Sequence, residues 1–295
     1  MPRAALLSIH ARVAGTRPTT WEDPSLVQLW GPRYSAYVVA ARDLGVFSLG
    51  RMPDDAKGRR RAEEAAERVR TLLNDAKRKY GEVGRSLIVN PNSLRYAATT
   101  GTICMRWDGA HQPTIWIVPA PDVDPLDARL ELARRYLHVF GPTTPVSFAT
   151  WAGISSRAAV TAFESLRGSL TSVSTPIGDR WILSRDEPTF RDTEGSPAPA
   201  RLLPSGDAYF LLQGEDRELL IPDGAKRAAL WTPRVWPGAV LIEGEIVGTW
   251  RRAGGAMVVE PWRRFSRAAR DAVEAEAASL PLPVIEGRMV VRWGR

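Results

Sequence analysis

The chain has 295 residues, a net charge of +7, 44% hydrophobic and 25% charged residues, a make-up that excludes disorder, collagen-like repeats and a disulfide scaffold. Its longest apolar stretches, such as Ala4–Ile9 and Ala36–Ala41, are too short to cross a bilayer, and no signal-peptide pattern opens the chain. One cysteine, Cys104, allows neither an internal bridge nor a cysteine-based zinc site, and the expected location is the cytoplasm.

Thirty-six of the 40 basic residues are arginine, and residues 1–123 hold +6 of the +7 net charge. Guanidinium groups match phosphate bidentately, so an uneven arginine excess points to a basic phosphate-binding surface, whereas codon usage alone would spread it evenly.

Pro2–Val13 reads as an amphipathic helix through Leu6, Leu7 and Ile9, with nothing ahead of it to pack against. Pro24–Trp30 is expected as a helix and Ser35–Ala40 as an apolar strand. Lys57–Tyr80 forms a long helix with Ala62, Ala66, Val69, Leu73, Ala76 and Tyr80 on one face. Asn92–Thr99 is a short helix ended by Gly101, and Ile103–Trp107 and Thr114–Val118 form a hairpin around Asp108-Gly109, with Trp107 facing Trp116.

The clearest pattern follows. Asp124 caps a helix with Pro125 in its first turn, and Leu126, Leu130, Ala133, Leu137 and Phe140 make its buried stripe. Gly141-Pro142 stops it, Thr144-Pro145 starts a second helix that Gly153 breaks, and Ser155 or Ser156 caps a third carrying Val160, Phe163 and Leu166. Leu170–Thr175 and Arg180–Leu183 then flank a turn at Pro176–Asp179. Three helices and a hairpin with a glycine turn describe a winged helix-turn-helix.

Glu194–Ala200 reads as a joint. Beyond it Ala208–Leu212, Glu218–Ile221, Ala239–Ile242, Glu245–Trp250 and Met257–Glu260 are expected as strands, with a turn at Glu243-Gly244, a helix over Ser266–Ser279 and a last strand at Met289–Trp293. The fold class is therefore α+β: tandem winged helix-turn-helix units followed by a small C-terminal β-barrel or sheet with one helix. The expected segments are an incomplete first winged unit at 1–55, a second at 56–123, a third at 124–195 and the β-rich domain at 196–295.

His10, His111 and His138 are isolated in sequence, and the chain has no H-E-x-x-H, P-loop, G-x-G-x-x-G or G-x-S-x-G pattern. No metal, cofactor or catalytic residue is expected from these patterns. Double-stranded DNA is the expected partner of a monomer, since no dimerisation helix is visible. Arg157 opens the recognition helix, Arg95 holds the matching position upstream, Arg33 precedes the first hairpin, and Arg106 and Arg180 lie on hairpins where they can track a phosphate backbone.

Three stretches carry a resemblance: Trp21–Arg33 (WEDPSLVQLWGPR), Arg135–Pro142 (RYLHVFGP) and Pro237–Arg251 (PGAVLIEGEIVGTWR). In this order they resemble bacterial winged-helix DNA-binding proteins related to the DNA glycosylases AlkZ and AlkX (YcaQ). The resemblance implies tandem winged helices around a concave basic surface and a C-terminal β-barrel. It also implies, in the glycosylase members, a Gln-x-Gln or Gln-x-Asp motif that positions the attacking water just before the helix matching Ala4–Arg12. That motif is expected upstream of Met1, so no catalytic residue is carried over. Relatives hold Arg-Gly-Thr-x-His where this chain has Arg33-Tyr34-Ser35-Ala36-Tyr37; Arg33 matches and Tyr37 replaces the histidine. The expected function is a winged-helix DNA-binding protein linked to DNA damage and repair. The alternatives are a glycosylase for alkylated or crosslinked bases and a winged-helix transcriptional regulator.

Overall fold

The computed structural model describes residues 3–107, 111–192, 200–212, 214–253, 256–282 and 289–294. The turn expected at Asp108-Gly109 and, Ala200 apart, the joint expected over Glu194–Ala200 lie outside them. The chain is a mixed α+β fold of two compact units, one built on Glu22–Ser174 and Gly178–Pro188, the other on Arg3–Trp21, Thr175–Ile177 and Thr189–Arg295. Among the described residues no helix is long and apolar enough to cross a membrane.

Helix α1 (Arg3–His10) belongs to the second unit. The first unit opens with β1 (Leu26–Trp30) and β2 (Ala36–Ala40), then α2 (Leu44–Leu49), α3 (Ala56–Leu73), β3 (Arg78–Lys79) and α4 (Tyr80–Ser86). A 3-10 stretch at Pro91–Thr100 leads to β4 (Ile103–Arg106) and β5 (Thr114–Ile117), and the sheet runs β2-β1-β4-β5-β3.

The helix expected at Pro24–Trp30 is thus a strand. Asp23 accepts from the Ser25 N–H at 2.8 Å, and β1 then pairs from Leu26↔Ala40 to Trp30↔Ala36 while meeting β4 at Gln28↔Met105. Two flanking strands and Val, Leu and Trp side chains outweigh the helical spacing. Gln28 is buried, and its Oε1 accepts from the Trp107 N–H at 2.9 Å, so its carbonyl is satisfied.

The long helix expected to reach Tyr80 stops at Leu73, because Asn74 and Asp75 take φ of 43° and 65°, a left-handed turn these two residue types tolerate. Cys104 stands opposite Trp116 and Arg106 opposite Thr114, so Trp107 falls past the ladder and the Trp107–Trp116 pair does not form. Trp107 Nε1 donates instead to the His111 carbonyl at 2.8 Å, and the Lys77 ammonium lies 5.0 Å from the Trp116 ring centre.

The same unit continues with α5 (Pro125–Phe140), α6 (Pro145–Ala152), α7 (Ser156–Ser165) and the hairpin β6 (Leu170–Thr175)–β7 (Gly178–Leu183); the short α8 (Glu187–Arg191) begins in it and ends in the second unit. The expected signals set the boundaries: Asp124, Thr144 and Ser155 each cap with a side-chain oxygen, and Gly153 ends α6 at φ +73°. On α5 the buried face is Ala128, Leu132, Ala133, Tyr136, Leu137 and Phe140, while Leu126 is 64% exposed, so the stripe begins one residue pair later than expected. Val160 likewise stays 41% exposed, and Ala159, Ala162 and Phe163 fill the α7 interface. Tyr136 is the hub, with its ring centre 4.9 Å from Phe140, 5.2 Å from Phe148 and 4.9 Å from Trp151. Each such contact adds about 0.5–1.5 kcal/mol to the burial itself.

The second unit has β8 (Arg201–Leu203), α9 (Asp216–Leu220), α10 (Gly224–Leu230), β9 (Gly238–Ile242), β10 (Glu245–Ala253), β11 (Ala256–Pro261), α11 (Arg267–Ser279) and β12 (Val290–Trp293). Its strands form an open sheet in the order β12-β11-β10-β9-β8, and among the described residues no closed barrel is present. Glu243 and Gly244, at φ 52° and 81°, make the expected two-residue turn between β9 and β10.

Two expected strands are helical. Ala208–Phe210 is a 3-10 turn capped by Asp207, and Glu218 lies in α9, where the Arg217 guanidinium sits 4.9 Å from the Trp231 ring centre and 5.4 Å from Trp236. The helices are therefore more than the one expected.

The partner of α1 is this unit. Leu7 joins a core with Leu202, Val240, Trp250, Met257 and Val273. Arg12 donates to both Asp207 oxygens at 2.9 and 2.7 Å, and Ser8 Oγ donates to Asp207 Oδ2 at 2.6 Å. The Asp207 side chain is fully buried, and its hydrogen bond raises the Arg12 pKa. Removing the charge of a buried partner while Arg12 stays half exposed costs about 2–4 kcal/mol. Asp207→Asn is expected to lower stability by that amount in urea unfolding and to speed hydrogen exchange in α1. Unchanged exchange in α1 would contradict the clamp.

Candidate nucleic-acid interface

In the α5–α6–α7 and β6–β7 unit, the side chain best placed to meet a ligand is Arg157, 78% exposed in the first turn of α7. Ser155 caps that helix through the Ala158 N–H at 3.1 Å and donates its hydroxyl proton to Asp54 Oδ1 at 3.1 Å. Arg157 donates to Asp54 Oδ2 from Nη2 at 3.0 Å and Nε at 3.3 Å. Burial alone would push the Asp54 carboxyl up; the hydrogen bonds from Arg157 and Ser155 outweigh it and hold the pKa below the usual aspartate value.

The turn between α6 and α7 is held from behind by a buried cation. Arg51 is 2% exposed; its Nε donates to the Ala152 carbonyl and its Nη1 to the Trp30 carbonyl, each at 2.8 Å. It thereby ties the end of β1 and the end of α6 to the segment after α2. Its guanidinium carbon lies 4.8 Å from the Tyr34 ring centre, and burial lowers its pKa to about 10. Tyr34 in turn meets Tyr96 at 5.2 Å, and Arg61 lies 4.6 Å over Tyr96, so two rings in contact join a buried cation to an exposed one. A second buried arginine, Arg129, donates to the carbonyls of Gly50 and Met52.

Arg33 and Tyr34 both take positive φ, 53° and 54°. Such backbone costs about 1–2 kcal/mol per non-glycine residue. The strained turn packs on Gly153, where an added Cβ would stand 3.7 Å from the Arg33 backbone nitrogen, and on Gly31, where a Cβ would lie 2.8 Å from the Tyr37 ring. Tyr37, at the position where histidine was expected in relatives, is largely buried, and burial raises its pKa.

The five arginines singled out in the sequence differ in placement. Arg157 and Arg106 are exposed, Arg106 pairing with Glu22 at 3.3 Å. Arg95 is half-buried, with Nε donating to the Tyr80 hydroxyl at 3.3 Å and Nη1 to the Tyr34 carbonyl at 3.4 Å. Arg33 sits half-buried in the strained turn. Arg180 is only 9% exposed and donates to the Asp179 carbonyl at 3.1 Å. At that exposure its guanidinium presents little surface to an outside phosphate chain.

Arg51, Arg129 and Asp54 were missed. In a chain with 36 arginines one more carries no signal, and bonds to backbone carbonyls leave no partner residue to find in the sequence.

Elsewhere, Cys104 is buried and its thiol is pushed up to about 11. His138 pairs with Asp186 at 2.9 Å, and His10 meets Thr16 at 2.6 Å and Ser279 at 3.1 Å. Among the described residues no three His, Cys, Asp or Glu side chains stand together as a metal set. The chain has three glutamines, none two positions apart. Gln28 and Gln112 each accept from a backbone N–H, of Trp107 and Gly81.

The sequence pattern of the DNA glycosylase AlkZ-like family matches residues 1–281. The chain belongs to that family. Among curated relatives, an interstrand DNA cross-link repair glycosylase of Streptomyces sahachiroi is 28% identical over 183 residues, 59% of this chain and 47% of the relative. The matched stretch thus spans about half the length of that relative. Among solved structures, the Streptomyces sahachiroi DNA glycosylase AlkZ superposes with a TM-score of 0.77 at 20% identity, covering 100% of this chain and 90% of that one. At this identity the likeness is one of fold.

In this AlkZ-like chain Arg51→Lys is expected to cost about 2–4 kcal/mol, since one ammonium cannot reproduce the fork that spans two carbonyls. Urea unfolding measures it, and a loss below about 0.5 kcal/mol, the range of an ordinary surface change, would show that the tie does not bear on the fold.

Proposed function

We propose that this protein acts in DNA repair as a glycosylase of the AlkZ-like family, binding duplex DNA and releasing alkylated or crosslinked bases. The observation that carries this reading is the family match over residues 1–281. The α5–α6–α7 helices with the β6–β7 hairpin support it, since a winged helix presents the first turn of its last helix to DNA. Arg157, exposed in that first turn, and Arg106, exposed at the end of β4, are the proposed phosphate contacts, with Arg95 and Arg33 acting from beneath the surface.

Hydrolysis of a base–sugar bond passes through an oxocarbenium-like sugar, which asks for a carboxamide or carboxylate beside the anomeric carbon and an oriented water. Tyr37, standing where relatives hold histidine, favours a second reading, a DNA-binding repair protein without base release. The recurrence of helices followed by a hairpin in 56–123 and 124–195 supports the tandem winged-helix arrangement, and we take the working form to be a cytoplasmic monomer on double-stranded DNA.

The test is binding to undamaged and alkylated duplexes across a salt series, with base release measured alongside. Affinity is expected to fall steeply with salt, by about one power of salt per phosphate neutralised, and Arg157→Ala is expected to weaken binding about three- to tenfold. Release of the alkylated base establishes the glycosylase. Binding without release selects the second reading, and no binding at low salt overturns both.

A further inference from the structure

Asp54 precedes α3, whose N-cap is Asp55, so Asp54 is not needed to cap that helix. Its carboxylate lies in front of the first turn of α7, held by the Ser155 hydroxyl and by two nitrogens of Arg157. The carboxylate is 22% exposed and the arginine 78%, so the pair sits at the surface and not in the core. Apart from the N-cap Asp55, the charges at the start of α3 are positive. The first two turns of α3 carry Lys57, Arg59, Arg60 and Arg61, all exposed, with no acidic residue in the first turn. Cations at a helix N-terminus oppose the helix dipole. Arg129, from α5, also acts electrostatically on Asp54. Both Arg157 nitrogens here go to one anionic oxygen, Asp54 Oδ2, and a guanidinium gives the same donors to an oxygen of a phosphodiester.

We propose that Asp54 holds the place of a DNA phosphate: when a duplex binds, a backbone phosphodiester replaces the Asp54 carboxylate on Arg157, and Asp54 thereby sets the affinity of the α7 face. The exchange rests on the DNA-binding reading above. It explains why an exposed arginine in the first turn of α7 is tied to its own chain by two donors on one carboxylate oxygen. Ser155 needs no such ligand to cap α7, since its hydroxyl oxygen already accepts from the Ala158 N–H. The carboxylate keeps Arg157 in an ordered, outward-facing position until a competing anion arrives.

The test measures affinity for a short undamaged duplex over a salt series with the full chain and its variants. Asp54→Asn keeps the side-chain size and removes the competing charge. It is expected to tighten binding about three- to tenfold at low salt, and to steepen the log–log salt dependence by about one unit. Asp54→Glu keeps the charge and is expected to bind within about twofold of the unaltered protein, a change expected of retained rim electrostatics. Asp54→Asn combined with Arg157→Ala is expected to bind like Arg157→Ala alone, because the gain acts through Arg157. Thermal melting of each variant verifies the fold, and Asp54→Ser provides a second neutral side chain should the asparagine variant melt early.

If the unaltered protein binds and both neutral variants bind equally or more weakly, the exchange is overturned while DNA binding stands. A gain that persists in full without Arg157 also overturns it, as it reduces Asp54 to a general negative charge. Absence of binding by the unaltered protein and by the neutral variants overturns the DNA reading and the exchange with it.

Discussion

The first unit depends on a buried positive charge that, among the described residues, has no carboxylate at hydrogen-bond distance. Arg51 gives its protons to the carbonyls that end β1 and α6, and its face to Tyr34. A cation in so dry a place is costly: Nε and Nη1 are met, Nη2 has no hydrogen-bond partner among the described residues, and burial lowers the pKa to about 10. What offsets it is position: backbone carbonyls at the ends of secondary elements have no partner of their own. One side chain therefore satisfies two orphan acceptors and fixes the sheet against the α6–α7 turn. The strained Arg33-Tyr34 backbone persists because this same contact set holds it.

From that anchor the surface chemistry follows. Gly153 lets α6 end and α7 begin at a close approach to the Arg33-Tyr34 turn, and Ser155 then starts α7 with its first turn, and Arg157, facing outward. The Arg51–Tyr34–Tyr96–Arg61 series leads from the interior to the arginine-rich start of α3. The same segment that carries most of the net charge in the sequence thus packs on rings that orient part of that charge. In the second unit the comparable anchor is Asp207, a buried carboxylate that receives Ser8 and Arg12 from α1.

Much of this was legible from residues near one another in the chain. Asp124, Thr144, Ser155, Gly153 and the Glu243-Gly244 turn act within a few residues, so caps and turns could be read directly. Leu26–Trp30 could not, because its strand state is supplied by β2 and β4, the latter more than 70 residues away. The packing of α1 was invisible for the same reason: its partners Leu202, Val240 and Asp207 lie near the other end of the chain. Leu126 and Leu130 matched a helical stripe as well as Ala128 and Leu132 did, and only the facing elements choose between them. Of the candidate site, Arg157 was legible as the opening residue of a capped helix. Arg51 and Asp54 were not, since neither has a motif and each acts through residues distant in sequence.

In the proposed function the first turn of α7, presented by this framework, meets duplex DNA. Hydrogen exchange of the free protein against the duplex-bound protein tests it most directly, because it reports which amides the ligand shields. Slowed exchange is expected at Ser155–Val160 and along the β6–β7 hairpin, with β9–β11 unchanged. Slowed exchange confined to other segments, with the start of α7 unaffected by saturating duplex, would contradict it.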